Sequence, residues 1–299
     1  MVEHMREMGL SLARPWYVQW AWDPVFLISL LVIAGLYLYA IGPYRAAAHP
    51  QERVSRGQIV AFASGILILF IALISPINTL SMFLFSGHMT QHLLVSLVVS
   101  PLLVVSIPGW LAQAIFNGKF MRFAWKWLTF PFIAPVLFNA NIWIWHAPPI
   151  LNAMMQNHAL HAIAQACYLL TGVIFWWPLF GASVARAYKL NILEKMLYIL
   201  LSDMPMVVIG AGLTFMQPLY DVYKRNPLGI APSVDQQIGG SVMWIPGAIF
   251  MIVMASILFL RWMLQLEARQ KETDARLATM EEEYEDEEYE DTPFSHQQG

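Results

Sequence analysis

The segment His88-Met89-Thr90-Gln91-His92 sets two imidazoles four residues apart in an apolar stretch. On a helix that spacing stacks them one turn apart on one face, where both can meet a single ion. Neutral imidazole is the commonest metal ligand among side chains, and imidazole nitrogen together with thioether sulfur suits copper, above all the reduced ion. Met82 and Met89 are soft donors close by in sequence. The same pair is also compatible with hydrogen-bonded packing, so it needs company before it reads as a site. Three further histidines supply it: His146, beside Pro148 and Pro149 where an apolar run ends, and His158 and His161, which open the next run with Met154 and Met155 just before them. Gln165 lies one turn beyond His161. Each of these three histidines also fits a solvated polar rim. His4, His49 and His296 read as solvent-facing.

The elements that must carry these groups are membrane helices. Of 299 residues 58% are hydrophobic and 12% charged, far too apolar a mixture for an ordinary soluble domain. Continuous apolar runs cover residues 24–41, 59–75, 89–107, 130–145, 162–180, 196–215 and 239–260. Each approaches the roughly 20 residues a helix needs to cross about 30 Å of hydrocarbon, the fourth being the shortest. They are neither alternating nor short, as barrel strands would be. An all-α, polytopic bundle of seven transmembrane helices is therefore expected over residues 24–263. It follows an N-terminal arm over 1–23 and precedes a tail over 264–299. Pro101, Pro135 and Pro205 fall inside spans and predict kinks.

Lys and Arg in the connections set the orientation. Thirteen, among them Arg45, Lys119, Lys195 and Arg261, gather on one side, against Arg6, Arg14, Lys224 and Arg225 on the other. That asymmetry puts the N-terminus outside and the C-terminus in the cytoplasm of a plasma membrane. The first 23 residues lack the short apolar core and cleavage site of a signal peptide, and Trp16, Trp20 and Trp22 suit an interfacial belt. The outer connections after spans two and four hold no Lys or Arg, so an ion beside the histidines there meets no cationic competitor.

Other features bound the chemistry. A lone cysteine, Cys167, excludes an internal disulfide and a cysteine-based zinc or iron-sulfur framework, and reads as a small core residue. Residues 281–291 carry nine acidic groups, without which the net charge of −3 becomes +6. Such a run predicts a solvated, disordered tail. Asp235 near the outer mouth reads either as an orienter of an imidazole N–H or as a helix cap. Asp203, near mid-depth in span six, must face the bundle interior, for structural gluing or for conduction of protons or ions. No nucleophile motif or HExxH signature is present, and no nucleic-acid partner is expected.

Five ordered motifs carry a family resemblance. His88-Met-x-x-His92-Leu-Leu with Ser100-Pro-Leu-Leu-Val, Trp145-His146-x-Pro148, His161 ahead of Phe175-Trp-Trp-Pro178, Asp235-Gln-Gln-x-Gly-Gly240, and Met243-Trp244 resemble the CtaG family of multispanning cytochrome c oxidase assembly factors. The resemblance covers nearly all of residues 20–265. It implies a non-enzymatic seven-helix protein that handles copper for the subunits of a haem-copper oxidase in the same bilayer. On that reading His88, His92 and His161 are the leading ligands, with His146 and Met89 next and Asp235 behind them. Many relatives carry a second histidine where this chain has Gln165, and His158 is the available substitute. Two other functions fit the residues. One is a copper or proton transporter built on Asp203 with Met204 or Met206. The other is a haem-binding membrane oxidoreductase using paired histidines.

Overall fold

The computed structural model describes residues 15–182 and 188–290, the last nine of these by their backbone only. His4, Arg6, Arg14, Arg186 and His296 lie outside the described residues. Among those described there is no strand. In chain order the helices are α1 (Pro24–Ala48), α2 (Arg56–Ile74), α3 (Pro76–Phe83), α4 (Phe85–Ser106), α5 (Gly109–Ile115), α6 (Lys119–Leu128), α7 (Ile133–His146), α8 (Pro148–Met154), α9 (His158–Phe180), α10 (Ile192–Phe215) and α11 (Pro232–Glu290).

Six of these, α1, α2, α4, α9, α10 and α11, are long and apolar enough to cross a membrane. The seventh expected span is a bent pair: α6 and α7 meet at 69° and pass the same test only together. The bend explains why the fourth apolar run was the shortest, since only the 14 residues of α7 continue toward His146.

Local chemistry starts the helices where the sequence turns polar. The Asp23 carboxylate accepts from Val25 N ahead of Pro24, opening α1. Ser55 and Gln58 form a reciprocal capping box on α2, as Asn191 and Glu194 do on α10. Asn157 accepts from Leu160 N and opens α9. Each cap satisfies backbone N–H groups that the first helical turn leaves without a partner.

At the centre stands α4, whose span is 56% buried against 17% for α1. It packs against α2, α3, α9 and α11, while α10 lies along α11 and α7 bridges α9 and α10. Midway, residues Leu94–Val99 adopt a wider π turn just before Pro101. Pro101 has no N–H to give, and Trp176 Nε1 of α9 donates to Ser96 O (2.8 Å) instead, while Val95 O accepts from both the backbone N–H and the Oγ (2.8 Å) of Ser100. Pro135 sits in the first turn of α7 and Pro205 is accommodated inside an unbroken α10.

Two expectations change. The tail from residue 264, read as disordered from its charge, continues α11 as helix to Glu290. Glu, Lys, Arg, Gln, Ala, Met and Leu, all good helix formers, make up most of this stretch, and Lys271 pairs with Glu267 one turn away at 2.8 Å. His49 is only partly exposed, since its ring packs at a tilt against Trp110 with centroids 5.2 Å apart.

Candidate metal centre

The first turns of α4 carry His88, Met89, Gln91 and His92 into the middle of the bundle, and all four are buried. His88 Nε2 and His92 Nε2 lie 2.7 Å apart, so the i, i+4 spacing does bring the imidazoles together. One proton is shared between two nitrogens at that distance. Neither Nδ1 has a hydrogen-bond partner among the described residues. Leaving such a buried group unsatisfied costs about 1–3 kcal/mol, a cost that stability alone does not explain.

His146, at the last turn of α7, reaches the same place. Its Nδ1 is 2.7 Å from the carbonyl of Ile142, one turn back. A carbonyl only accepts, so Nδ1 carries the proton, and in the neutral ring the lone pair sits on Nε2. That Nε2 faces Met89 Sδ at 3.3 Å. Two lone-pair donors thus stand side by side with no proton between them, which is the arrangement of a ligand pair and not of a hydrogen bond. His92 is adjacent, its ring 6.1 Å from that of His146 and 3.9 Å from the ring of Tyr168.

His161 approaches from α9 and is fully buried. It is close enough to interact electrostatically with both His88 and His92. Its Nε2 meets Gln165 Nε2 at 3.3 Å, and the same amide donates to Gln91 Oε1 at 2.9 Å. Gln91 in turn donates to Asn78 Oδ1 and to the carbonyl of Ala72. Gln165 thus ties His161 to the helix bearing the histidine pair. Among the described residues no three His, Cys, Asp or Glu side chains stand together as a ready cage. What converges is two imidazoles, then an imidazole with a thioether.

Two residues of the expected set go elsewhere. His158 opens α9, and its Nε2 contacts Oδ2 of Asp23, the cap of α1, at 2.5 Å. Asp235 touches no imidazole. Its carboxylate accepts from Phe85 N (2.7 Å), Ser86 N (3.0 Å) and Ser86 Oγ (2.7 Å), so it caps the helix that carries His88 and His92. Asp203 is buried in α10 with Oδ1 lacking a partner among the described residues. Haem would need room beside the imidazoles, and the cavity flanking His92 and His146 is about 20 Å³, far too small for a macrocycle.

A family model described as cytochrome c oxidase caa3 assembly factor matches residues 35–265. The chain belongs to this family. It is 24% identical to an uncharacterised protein of Mycobacterium leprae, a match over 95% of this chain and 45% of that one. It is 25% identical to uncharacterised proteins of Mycobacterium bovis and Mycobacterium tuberculosis, over 88% of this chain and 42% of each of those. The chain thus spans less than half the length of the curated relatives it matches. No solved structure matches it.

In this member of the caa3 assembly factor family, several contributors escape a reading of the sequence. Tyr168 packs its ring against His92 at a tilt of 36° and lies seven residues after His161, a spacing that puts it on the same face as Gln165. Tyr220 donates to the carbonyl of His146 at 2.9 Å, and Tyr223 to that of Ser81 at 3.1 Å. Burial pushes both phenols up, so they stay protonated donors. Met206 and Met243 reach the cavity beside His92 and His146 from α10 and α11. Their sequence signal, a methionine in an apolar run, is indistinguishable from ordinary packing.

Proposed function

We propose that this chain is a non-enzymatic assembly factor for cytochrome c oxidase that takes up copper as cargo at the His88/His92 and His146/Met89 pairs and passes it to an oxidase subunit in the same plasma membrane. His161 is held beside them. The observation that carries the reading is the His146 Nε2 to Met89 Sδ contact at 3.3 Å, two lone pairs facing each other next to a second imidazole pair. Imidazole with thioether is a copper-type donor set, and sites without a closed cage release an ion more readily than four-ligand ones. Family membership supplies the oxidase connection.

The test is copper stoichiometry in the purified chain and oxidase assembly in cells, for wild type and for the His88→Ala/His92→Ala double variant. Loss of copper together with loss of assembled oxidase, while the variant still inserts, is the expected result. Full binding and full assembly in the double variant would remove the proposal.

A transport reading draws on Asp203, a buried carboxylate whose Oδ1 has no partner among the described residues, beside Ser202, whose carbonyl accepts from Asn139 Nδ2 at 3.0 Å. Metal flux into proteoliposomes that disappears with Asp203→Asn would favour it.

A further inference from the structure

Beside His92 and the His146/Met89 pair lies a small space that two further side chains, outside the proposed pairs, also reach. It is about 20 Å³, and Met89, His92, His146, Met206 and Met243 all line it. Three thioethers arrive from three helices: Met89 from α4, Met206 from α10 and Met243 from α11. All are buried to within a few per cent, at 1%, 4% and 4% exposure. Met206 is seated by Gly247 on α11, where a Cβ would stand 2.4 Å from its methyl group, so the absence of a side chain there makes room for this methionine.

The size and the wall chemistry select an occupant. A space of this volume holds about one water-sized particle, hence a bare ion and not a hydrated one. Apart from Ser96 and Tyr168 the remaining wall is aliphatic or aromatic, and among the described residues no carboxylate lines it. Burying an ion where no counter-charge exists carries a solvation penalty that grows with the square of its charge, so a divalent ion pays about four times what a monovalent one does. Thioether sulfur is the soft donor that favours copper(I) over copper(II) and, without thiolate beside it, over zinc, and neutral imidazole accepts the same ion. We infer that Met206 and Met243, with Met89, form an inner thioether station that makes the centre selective for a monovalent soft ion, copper(I) or its redox-silent surrogate silver(I). This rests on the copper reading above and extends it by oxidation state and by two ligands from α10 and α11.

The test titrates the purified full-length chain with silver nitrate in chloride-free buffer, comparing wild type with Met206→Leu, Met243→Leu and the double variant. Leucine conserves volume, so folding should survive, and a metal-free melting curve checks it. Silver binding by wild type, weakened about tenfold or more in the double variant, is the expected result. X-ray absorption of the copper(I)-loaded wild type gives a readout independent of any variant, with at least two sulfur neighbours expected. Unchanged silver affinity in the double variant, or a shell with no more than one sulfur neighbour, would overturn the inner station and leave the copper reading at the histidines standing. Absence of both silver and copper(I) binding by wild type would instead remove the copper reading itself and this inference with it.

Discussion

At the residue scale, Asp235 shows how a correct suspicion can attach to the wrong partner. The sequence marks it as a carboxylate near the mouth of the bundle, yet it accepts from two backbone N–H groups, of Phe85 and Ser86, and from the Ser86 hydroxyl, and so fixes the start of the helix bearing His88 and His92. Replacing it with Ala strands one buried and one part-buried backbone donor, and Asp235→Ala should lower stability by about 1–3 kcal/mol. Asp235→Asn, which keeps one acceptor oxygen, should cost less, and thermal unfolding in detergent will rank the two. His158 makes the opposite case. Its ring is committed to Asp23, so His158→Ala is expected to leave copper stoichiometry unchanged in the same assay that His88→Ala/His92→Ala abolishes. A His158 variant that lost copper would return this residue to the ligand set.

At the element scale, helix starts were largely written in the sequence, because caps are local. Ser55 with Gln58 and Asn191 with Glu194 act within three residues of themselves. Close approach between helices was not so readable, and glycines mark it only once the neighbours are known. A Cβ on Gly87 would lie 2.7 Å from the backbone carbon and oxygen of Leu80, across the turn joining α3 to α4. Backbone cannot swing aside, so Gly87→Ala should destabilise by about 1–3 kcal/mol and disturb the adjacent His88. Gly35 in α1 has nothing within 4 Å. Gly35→Ala should therefore be neutral or stabilising, by up to about 1 kcal/mol, through helix propensity alone. Denaturation midpoints of the two variants, which must move apart, give the check. The same reasoning covers the fourth span: its apolar run was visible, but the 69° break from α6 depends on how the two pieces pack.

At the scale of the whole molecule, the thirteen-to-four split of Lys and Arg between alternate connections of the sequence gives a proposed orientation, with the C-terminus in the cytoplasm. In a Cys167→Ala background, Lys224→Cys should react with a membrane-impermeant maleimide on intact cells, and Glu272→Cys only after the membrane is opened. The reverse labelling would invert the proposed orientation and move the histidines to the cytoplasmic side. The helical extension of α11 beyond residue 266 is exposed as far as residue 281 and makes no contact that positions the centre. Ending the chain after residue 281 is accordingly expected to leave metal binding intact, as measured by the same titration.

Periodicity and hydropathy by themselves determined that the chain is helical and built to cross a membrane, and the i, i+4 rule determined that His88 and His92 would meet. Both follow from backbone geometry that any apolar helix shares. Only the tertiary structure decided that His146 turns its lone pair on Met89, that His158 leaves for Asp23, and that Met206 and Met243 close on one small cavity. The rotation of each helix about its axis and its depth in the bundle are set by packing against neighbours far away in the chain. No local pattern of residues encodes that information.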